Sequence, residues 1–353
     1  MSDLFDYKKE MSELRFTEIQ KKALAEAAAS AASGKAKRRR PVFRTALIAA
    51  AMAAVLAVGS SAAGILPSPA EIFTPLFGGA AAQTEVIDKI GRPIGASDTD
   101  NGITITAEAI MGDQYNAVIV YTLTRDDGER FLPEGKSLDE THLMMGGYGG
   151  ASWVRGGTHG GSWFVDEDPE DSQIQLVETA SSNVAMTKGT ANASFEDLQY
   201  WNAETEQAEL LYPGKWKLRF EVDYEDCSIR LGGGETFSQD GLTFTIDEVT
   251  VSPIAVRVAY TTDPAAVWSD APSGREAPEN APRRQRYLEN IEILLTKTDG
   301  TVIDLGGSGG RVSPDYKADV SHCTKGQVFD EIIPLEEMES ICVGGVTYEI
   351  PHD

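Results

Sequence analysis

Hydrophobic positions recur with three different periods along the 353-residue chain, and each period predicts a different kind of structure. Near the N-terminus, apolar side chains recur every three or four residues, which is typical of amphipathic helices. Residues 45–66 are almost wholly apolar or small. Beyond residue 100, apolar and polar side chains alternate over short segments, which is typical of half-buried β-strands. The pattern predicts a helical head, an apolar segment of membrane length and a mainly β body.

The first 44 residues predict two short helices. Residues 3–14 carry their apolar side chains on one helical face, and Thr17 followed by Gln20 has the spacing of a capping box that opens a second helix. The second helix is expected to run from about Glu18 to Ser33. Two helices of this length cannot bury enough surface to be stable alone, so we expect them to bind another surface.

The apolar side chains of these helices form a candidate partner-binding surface inside the cell. We expect them to dock into a groove of a protein partner, as amphipathic helices do. The alternative is that they pack only on each other or on the inner face of a membrane. A zinc-dependent intracellular module is excluded, because no Cys or His precedes His142. The surface consists of Leu4, Phe5, Leu14, Phe16, Ile19 and Leu24.

A single transmembrane helix is predicted at residues 45–66. The 26 positions from 45 to 70 contain no charged residue. As a helix, residues 45–66 would extend about 33 Å, which is enough to cross a hydrocarbon core of about 30 Å. The alternatives are a buried alanine-rich core helix and a cleaved signal peptide, but a leading segment of 44 residues is far too long for a signal peptide. We therefore expect residues 45–66 to contact the lipid bilayer.

The distribution of charge sets the expected orientation of this span. The chain carries a formal net charge of −24, but residues 1–44 hold 11 Lys and Arg against 6 Asp and Glu, a net of +5. The remainder therefore carries −29. Because the cytoplasmic flanks of spans carry an excess of Lys and Arg, we expect the N-terminus in the cytoplasm and the C-terminal body outside the cell. A body this acidic is also unsuited to a nucleic-acid partner.

An internal repeat organises the body. Residues 101–122 align with residues 240–261 without a gap, at a constant offset of 139. Each copy contains an Asx-Gly turn, an alternating strand, a second turn and a second alternating strand, which ends at Tyr121 in one copy and Tyr260 in the other. The body is therefore predicted to contain two copies of one all-β unit.

Short strands, frequent turns and about 120 residues in each unit favour a β-sandwich over a barrel. Residues 215–222 alternate with a period of two, and Asp299-Gly300 lies between two β-rich arms, as in a hairpin. The predicted segments are a cytoplasmic helical segment at 1–44, the span at 45–66, an extracellular linker at 67–100 and two β-sandwich domains at 101–226 and 227–353.

A glycine-rich run at residues 145–163 is a candidate ligand loop. Its aromatic side chains could form a binding surface for a glycan or peptide of the cell envelope, and Arg155 could pair with an anion. The alternative, which we favour, is a long connection or an edge hairpin, because the run lacks the context of phosphate-binding glycine loops. The candidate ligand residues are Tyr148, Trp153, His159 and Trp163.

No catalytic, cofactor or metal site is predicted. The four histidines lack metal-type spacing, and no nucleophile elbow is present. An acidic run could hold calcium, but it lacks the EF-hand pattern, and a solvated acidic loop is the favoured interpretation. The acidic run consists of Asp166, Glu167, Asp168, Glu170 and Asp171.

Three cysteines lie in the predicted extracellular body. Cys323 and Cys342 could form a disulfide if their strands are adjacent, which would leave Cys227 over. So few cysteines indicate that disulfides do not hold the fold together.

The chain combines a basic head, one span, the exit segment IFTPLFGG and the block TDNGITIT, in this order. In this combination, over roughly residues 35–353, it resembles the anti-sigma-factor-like bacterial membrane proteins, whose ectodomain family is a domain of unknown function. The ending at residues 341–348, ICVGGVTY, resembles the closing strand of the immunoglobulin-like domain often appended to it. The resemblance implies tandem immunoglobulin-like β-sandwich ectodomains and an intracellular segment that restrains a sigma factor. Residues 1–34 carry no recognisable anti-sigma signature.

Two functional hypotheses follow, and neither is enzymatic. In the first, an anti-sigma-factor-like regulator couples an extracytoplasmic β ectodomain to a sigma factor at residues 1–44. In the second, a structural or adhesive cell-surface protein uses its N-terminal segment only as an anchor.

Overall fold

The computed structural model describes residues 66–132, 138–154, 159–166, 168–202, 205–270 and 277–352. The predicted N-terminal helices, and all of the predicted span except Leu66, lie outside the described residues. Within these ranges no helix is long and apolar enough to cross a membrane. The described chain is mainly β and contains several sheets, as the alternating pattern predicts.

The described chain begins with two short helices, α1 (Pro69–Phe77) and α2 (Ala81–Ile90), which we call the helical hairpin. The Ser68 hydroxyl accepts a hydrogen bond from the Glu71 N–H, and the Glu71 carboxylate accepts one from the Ser68 N–H at 2.7 Å. This reciprocal capping, with a proline at the first helical position, satisfies N–H groups that the helix start leaves free. The local sequence therefore specifies where α1 begins.

The first β unit contains two antiparallel sheets and the short helix α3 (Leu138–Thr141). In the larger sheet, which we call sheet A, the strand order is β1-β2-β3-β6-β5, and in sheet B it is β4-β7-β8. The strands are β1 (Arg92–Asp100), β2 (Ile103–Gly112), β3 (Asn116–Arg125), β4 (Leu143–Ser152), β5 (Ser162–Val165), β6 (Gln173–Ser181), β7 (Gly189–Asn202) and β8 (Gln207–Val222).

The second β unit has the same two-sheet plan. In sheet C the order is β10-β11-β12-β16-β15, with β9 also pairing with β11, and in sheet D it is β14-β13-β17-β18. Its helical turns are α4 (Ala281–Arg284), a π-helical turn (Gln285–Glu289) and a 3₁₀ turn (Leu335–Glu337). The strands are β9 (Ile229–Gly232), β10 (Thr236–Gln239), β11 (Leu242–Val251), β12 (Ala255–Thr262), β13 (Ile293–Lys297), β14 (Val302–Asp304), β15 (Gly310–Asp315), β16 (Val320–Val328), β17 (Met338–Val343) and β18 (Val346–Glu349).

The 139-residue offset of the sequence repeat recurs in the backbone. Strands β2 and β11 begin and end at positions that differ by this number. Each has a β-bulge at the same place, between residues 107 and 109 in one copy and between 246 and 248 in the other. The turns before them have left-handed backbone at Asn101 and Gly102, with φ of 49° and 76°, and at Asp240 and Gly241, with φ of 51° and 72°. Asx-Gly favours such turns because these residues tolerate positive φ.

In each unit the two sheets enclose one hydrophobic core. Trp216 of β8 is fully buried, and its Nε1 donates to the Ile103 carbonyl at 2.9 Å, which links sheet B to sheet A. The repeat-related Tyr121 and Tyr260 are also fully buried, as their alternation predicts. The two sheets of each unit therefore pack together through the apolar faces that the alternating strands present.

The two units place opposite ionisable groups at one equivalent core position. Glu178 of β6 pairs with Ile119, and Lys325 of β16 pairs with Val258, the repeat equivalent of Ile119. The Glu178 carboxylate accepts from the Tyr121 hydroxyl at 2.7 Å and from a backbone N–H at 2.9 Å. Burial raises the Glu178 pKa, and these hydrogen bonds oppose the rise. A buried charge is tolerated here because hydrogen-bond partners surround it.

Lys325 is 1% exposed, and its Nζ donates to the carbonyls of Leu288 and Ile291, each at 2.7 Å. Burial lowers the Lys325 pKa to about 8, although Asp304 and Glu289 favour the charged form. A neutral amine retains two N–H groups, which match the two carbonyl acceptors. The lysine therefore holds the turn after α4 against sheet C.

A third hydrophobic cluster joins the helical hairpin to both β units. Phe73 and Ile87 of the hairpin are fully buried against the outer face of sheet A, which contributes Val118 and Val120. Ile332 of the second unit belongs to the same cluster, and its N–H donates to the Phe77 carbonyl at 2.9 Å. We call this group the hairpin core.

Residues 67–100, expected to form an extracellular linker, contain α1, α2 and β1 in the structure. Their apolar positions are too few to predict a stable structure alone. In the structure α1 and α2 pack on the outer face of sheet A, and β1 pairs with β2 as an edge strand of that sheet. The local sequence pattern does not predict these contacts, because they form with distant segments.

All three cysteines are free. Cys323 lies on β16 of sheet C, and Cys342 lies on β17 of sheet D. Cys323 is buried in the core between the two sheets, whereas Cys342 alternates with the buried Ile341 and Val343 and therefore faces the opposite side of sheet D. The two thiols do not face each other, so the structure does not support a disulfide between them.

Substituting Phe73→Ala should lower the free energy of unfolding by about 3–5 kcal/mol, because it removes a fully buried ring and leaves a cavity in the hairpin core. Chemical denaturation followed by circular dichroism measures this. The exposed Glu85→Ala on α2 is the control and should change stability by less than about 0.5 kcal/mol. Equal effects of the two substitutions would contradict the hairpin core.

Lys325 predicts a specific pH dependence of stability. A pKa lowered from 10.5 to about 8 means that its contribution is fully present above pH 10.5 and is lost as the pH falls through about 8. Relative to Lys325→Met, the wild-type chain should therefore gain up to about 3 kcal/mol of unfolding free energy over that interval. Denaturation at several pH values tests this, with the exposed Lys317→Met as control. Parallel curves for wild type and Lys325→Met would refute it.

Candidate binding groove between the two β units

Edge strands of the two larger sheets lie at the junction of the two β units. β5 is the last strand of sheet A, and β15 is the last strand of sheet C. The two sides are joined by a hydrogen bond from the Thr324 hydroxyl of β16 to the Asn183 side-chain oxygen, at 3.3 Å. Edge strands offer unpaired backbone groups, so this junction is a natural place for binding.

The segment that leads into β5 aligns two of the predicted ligand residues. His159 forms a β-bridge with Ser181, with backbone hydrogen bonds of 2.8 and 2.6 Å, and Trp163 pairs with Val177 in the same register. Alternate residues of a strand face the same side. His159 and Trp163 therefore share the outer face of sheet A with Val177, which belongs to the hairpin core.

Trp163 opens onto a cavity of about 470 Å³, which we call the Trp163 cavity. The indole is 44% exposed, whereas Phe77 and Phe329 beside it are almost fully buried. Its wall contains residues from the helical hairpin, from the first β unit and from the second β unit. The lining residues are Leu76, Phe77, Trp163, Thr179, Ser181, Val328, Phe329 and Asp330.

A second cavity of about 130 Å³ adjoins the first at Ser181, and we call it the His159 cavity. Eight of its eleven lining residues have polar side chains, and the other three are glycines. The two cavities together form what we call the seam groove. The smaller one is lined by Asn116, His159, Ser181, Ser182, Asn183, Arg257, Gly309, Gly310, Thr324, Lys325 and Gly326.

Basic groups converge on the His159 cavity although the body is acidic. Burial lowers the pKa of His159, and the nearby charge of Arg311 lowers it further. Arg257 is already engaged, because its Nη1 donates to Glu248 at 3.2 Å and its guanidinium lies 3.9 Å from the ring centroid of Tyr115. Arg311 forms no ion pair with any carboxylate that the structure describes. Its charge is therefore available to an anion.

Repeat-related turns hold the walls of the groove together. Asp113 and Ser252 occupy equivalent positions in the two copies, and the Ser252 hydroxyl donates to the Asp113 carboxylate at 2.6 Å. The Tyr115 hydroxyl adds a bond to Glu248 at 3.1 Å. Burial raises the Asp113 pKa, while its hydrogen bonds to Ser252, Tyr115 and Asn116 lower it. The two units thus contact each other through the same turn of each repeat.

The structure separates the other two predicted ligand residues from this groove. Tyr148 lies on β4, where its ring packs on Phe195 at a centroid distance of 5.8 Å. Burial raises its pKa, and so does the nearby Glu178 carboxylate. Trp153 packs against the core of the first unit, and its Nε1 has no acceptor among the residues described. Arg155 lies outside those residues.

Close packing explains several glycines of the 145–163 run. A Cβ on Gly149 would lie 2.5 Å from the Ser194 hydroxyl, and one on Gly146 would lie 2.5 Å from the Gln199 amide. A Cβ on Gly150 would collide with the Glu178 carboxylate. Gly146 and Gly149 let β7 side chains lie over β4, which forms an edge of sheet B, and Gly150 leaves room for Glu178 of β6.

The acidic run contains no metal cluster that the described ranges reveal. Burial raises the Asp166 pKa, and the charge of Asp171 adds to the rise. Glu170 pairs with Arg130 at 3.1 Å. Glu167 and the six predicted partner-binding residues of the N-terminal helices lie outside the described residues.

Another cavity, of about 550 Å³, lies at the end of the first unit beside Arg92 and Tyr224. Its buried acid, Asp113, already accepts bonds from Ser252, Tyr115 and Asn116.

Sequence reasoning selected two groove residues and missed the others. The alternation of His159, Gly161 and Trp163 could have indicated a shared face. No local signal connects these residues to Phe77 or Phe329, because the contacts form between segments distant in the sequence.

Substituting Gly150→Ala should destabilise the chain by about 1–3 kcal/mol, because the new methyl group overlaps the Glu178 carboxylate. Gly161→Ala is the matched control, since its Cβ would meet nothing within 4 Å. Its effect should stay within about 0.5 kcal/mol. Thermal and chemical denaturation compare the two. If Gly150→Ala is as stable as Gly161→Ala, packing does not account for this glycine.

Comparison with known proteins gives a family match for one part of the chain. A family model described as a domain of unknown function, DUF4179, matches residues 37–125, so the predicted resemblance to a family of unknown function is confirmed over this segment. None of the curated proteins matches the chain. A solved structure, the crystal structure of the conserved domain protein from Bacillus anthracis, is 14% identical, with 77% of this chain and 83% of that chain covered and a TM-score of 0.46. The chain is thus similar to DUF4179 from its basic cluster to the end of β3.

Proposed function

We propose that the chain is a single-pass membrane protein in which an extracytoplasmic β body regulates an intracellular partner, in the manner of an anti-sigma factor. Residues 1–44 are the intracellular segment, residues 45–66 cross the membrane, and the two β units lie outside the cell. Both units are immunoglobulin-like sandwiches in this proposal, which is supported by their paired antiparallel sheets.

The helical hairpin is the observation that carries the proposal. Helix α1 begins at Pro69, only three positions after the last residue of the predicted span. The hairpin then packs against sheet A and contacts Ile332 of the second unit. A flexible tether would suffice for an anchor, whereas this connection ties both units to the exit of the span. A rearrangement between the units would therefore act on the span directly.

The family match supports treating the basic cluster, the predicted span and the helical hairpin as parts of one arrangement. It begins within the basic cluster, includes the predicted span and the hairpin, and ends with β3. The matched family has no assigned activity, so the regulatory role depends on the charge pattern, the predicted helices and the hairpin.

Co-purification tests this role. The full-length chain, expressed in a bacterium with a candidate extracytoplasmic-function sigma factor, should retain that factor, and deletion of residues 1–34 should abolish retention. A triple substitution of Leu14, Ile19 and Leu24 to Ser should have the same effect, because it removes the apolar face. Substituting Lys21 and Lys22 to Ser is the control in the same segment and should leave retention largely intact.

If crosslinking in cells recovers no intracellular partner, or if the control and the apolar substitutions behave alike, the regulatory proposal is wrong. A membrane-bound chain without such a partner would instead favour the structural or adhesive surface protein.

A further inference from the structure

The Trp163 cavity of the seam groove contains a large side chain that the protein itself leaves uncovered. Trp163 is 44% exposed beside Phe77 and Phe329, which are 4% and 5% exposed. The cavity next to it, about 470 Å³, has the size of a ligand pocket. An apolar side chain placed there would remove the indole from water and gain contact with both phenylalanines.

The backbone around the groove is arranged to receive an extended chain. β5 and β15 are the outermost strands of sheets A and C, so their outward N–H and C=O groups have no partner strand within the described sheets. Such edges bind peptides by adding a strand, with main-chain hydrogen bonds supplying affinity and alternate side-chain pockets supplying specificity.

The polar half of the groove has the chemistry of an anion site. Arg311 follows Gly310 on β15 and pairs with Thr324 of β16, and both Gly310 and Thr324 line the His159 cavity. Its charge also lowers the pKa of the His159 imidazole, so Arg311 and His159 lie at the same end of the groove. Gly309 and Gly310 lie in the wall of a cavity of about 130 Å³, which is large enough for a carboxylate. An anion here would pair with the Arg311 charge and could accept a hydrogen bond from the His159 imidazole.

We propose that the seam groove binds the C-terminal end of an extended peptide, with its free carboxylate in the His159 cavity and a large apolar side chain in the Trp163 cavity. His159 and Trp163 are four residues apart on extended backbone, a distance of about 13 Å. A peptide lying alongside advances at the same rate per residue. The apolar side chain therefore lies about four residues before the carboxylate.

Such a ligand would contact the element that carries the proposed function. Leu76 and Phe77, at the end of α1, form part of the Trp163 cavity, and Val328 and Phe329 belong to the second unit. A bound peptide would therefore bridge the helical hairpin and both units. The inference names an external input for the proposed regulator and to that extent rests on the proposed function, but binding itself can be measured without it.

Calorimetric titration of the full-length chain tests the proposal. The probe is the acetylated pentapeptide Ac-Phe-Ser-Ala-Ser-Ala with a free carboxylate, compared with the same peptide as its C-terminal amide. The acid should bind saturably, and the amide should bind at least about tenfold more weakly, because it loses the charge-assisted contacts.

Two pairs of variants locate the site. Trp163→Ala and Arg311→Gln should each weaken binding of the acid by about tenfold or more. Trp201→Ala, at an indole on β7 that is 40% exposed, and Arg219→Gln, on the exposed face of β8, should leave the Kd within about twofold. Thermal unfolding midpoints check that all four variants remain folded.

Equal affinity for acid and amide, an unchanged Kd in Trp163→Ala, or no binding of the acid up to millimolar concentration would each overturn the proposal. The titration contains no intracellular partner, so its outcome is independent of the co-purification. If the peptide binds but no sigma factor is retained, the groove proposal stands and the regulatory proposal is wrong. If a sigma factor is retained but the peptide does not bind, only the groove proposal is wrong.

Discussion

The burial of the helical hairpin against the outer face of sheet A organises the rest of the described chain. Without it, Val118, Val120 and Val177 would expose a second apolar face of a sheet whose first face already encloses a core. Phe73 and Ile87 are fully buried in this contact, and each such side chain contributes about 1.5–3 kcal/mol. The same contact recruits Ile332, so the two units and the hairpin form one packed body.

The repeat explains how two similar units form a non-equivalent pair. The strand orders of sheets A and C correspond, and the equivalent turns of the two units meet through Asp113 and Ser252. Yet one core position holds Glu178 in the first unit and Lys325 in the second. Each buried group recruits its own set of hydrogen-bond partners, because a charge of either sign is costly to bury without them. The two copies therefore share the topology of the larger sheet and differ in the segments that hydrogen-bond to the buried ionisable group of that sheet.

The seam groove follows from this arrangement rather than from any one segment. The segment 159–163, which leads into β5, supplies His159 and Trp163. The hairpin supplies Phe77, and the second unit supplies Phe329 and the glycines at the start of β15. A binding site built from three elements responds to their relative positions. This property suits a body that is proposed to pass a signal through the span next to it.

By itself, the sequence determined the elements whose causes are local. Alternation predicted the mainly β body, the Asx-Gly dipeptides marked the turns of both repeats, and the constant offset revealed the two related units. The charge pattern led to a membrane topology that stays a prediction. Of four proposed ligand residues, the structure brings His159 and Trp163 to the groove and places Tyr148 and Trp153 elsewhere.

Only the tertiary structure decided the contacts between distant segments. It ordered residues 67–100 on sheet A, set Cys323 and Cys342 on different sheets, and aligned β5 with the second unit. Such contacts depend on which apolar faces remain after each unit has formed its own core. Periodicity shows that a face is apolar, but it does not identify the surface that covers it, because that surface is defined only once the sheets have packed.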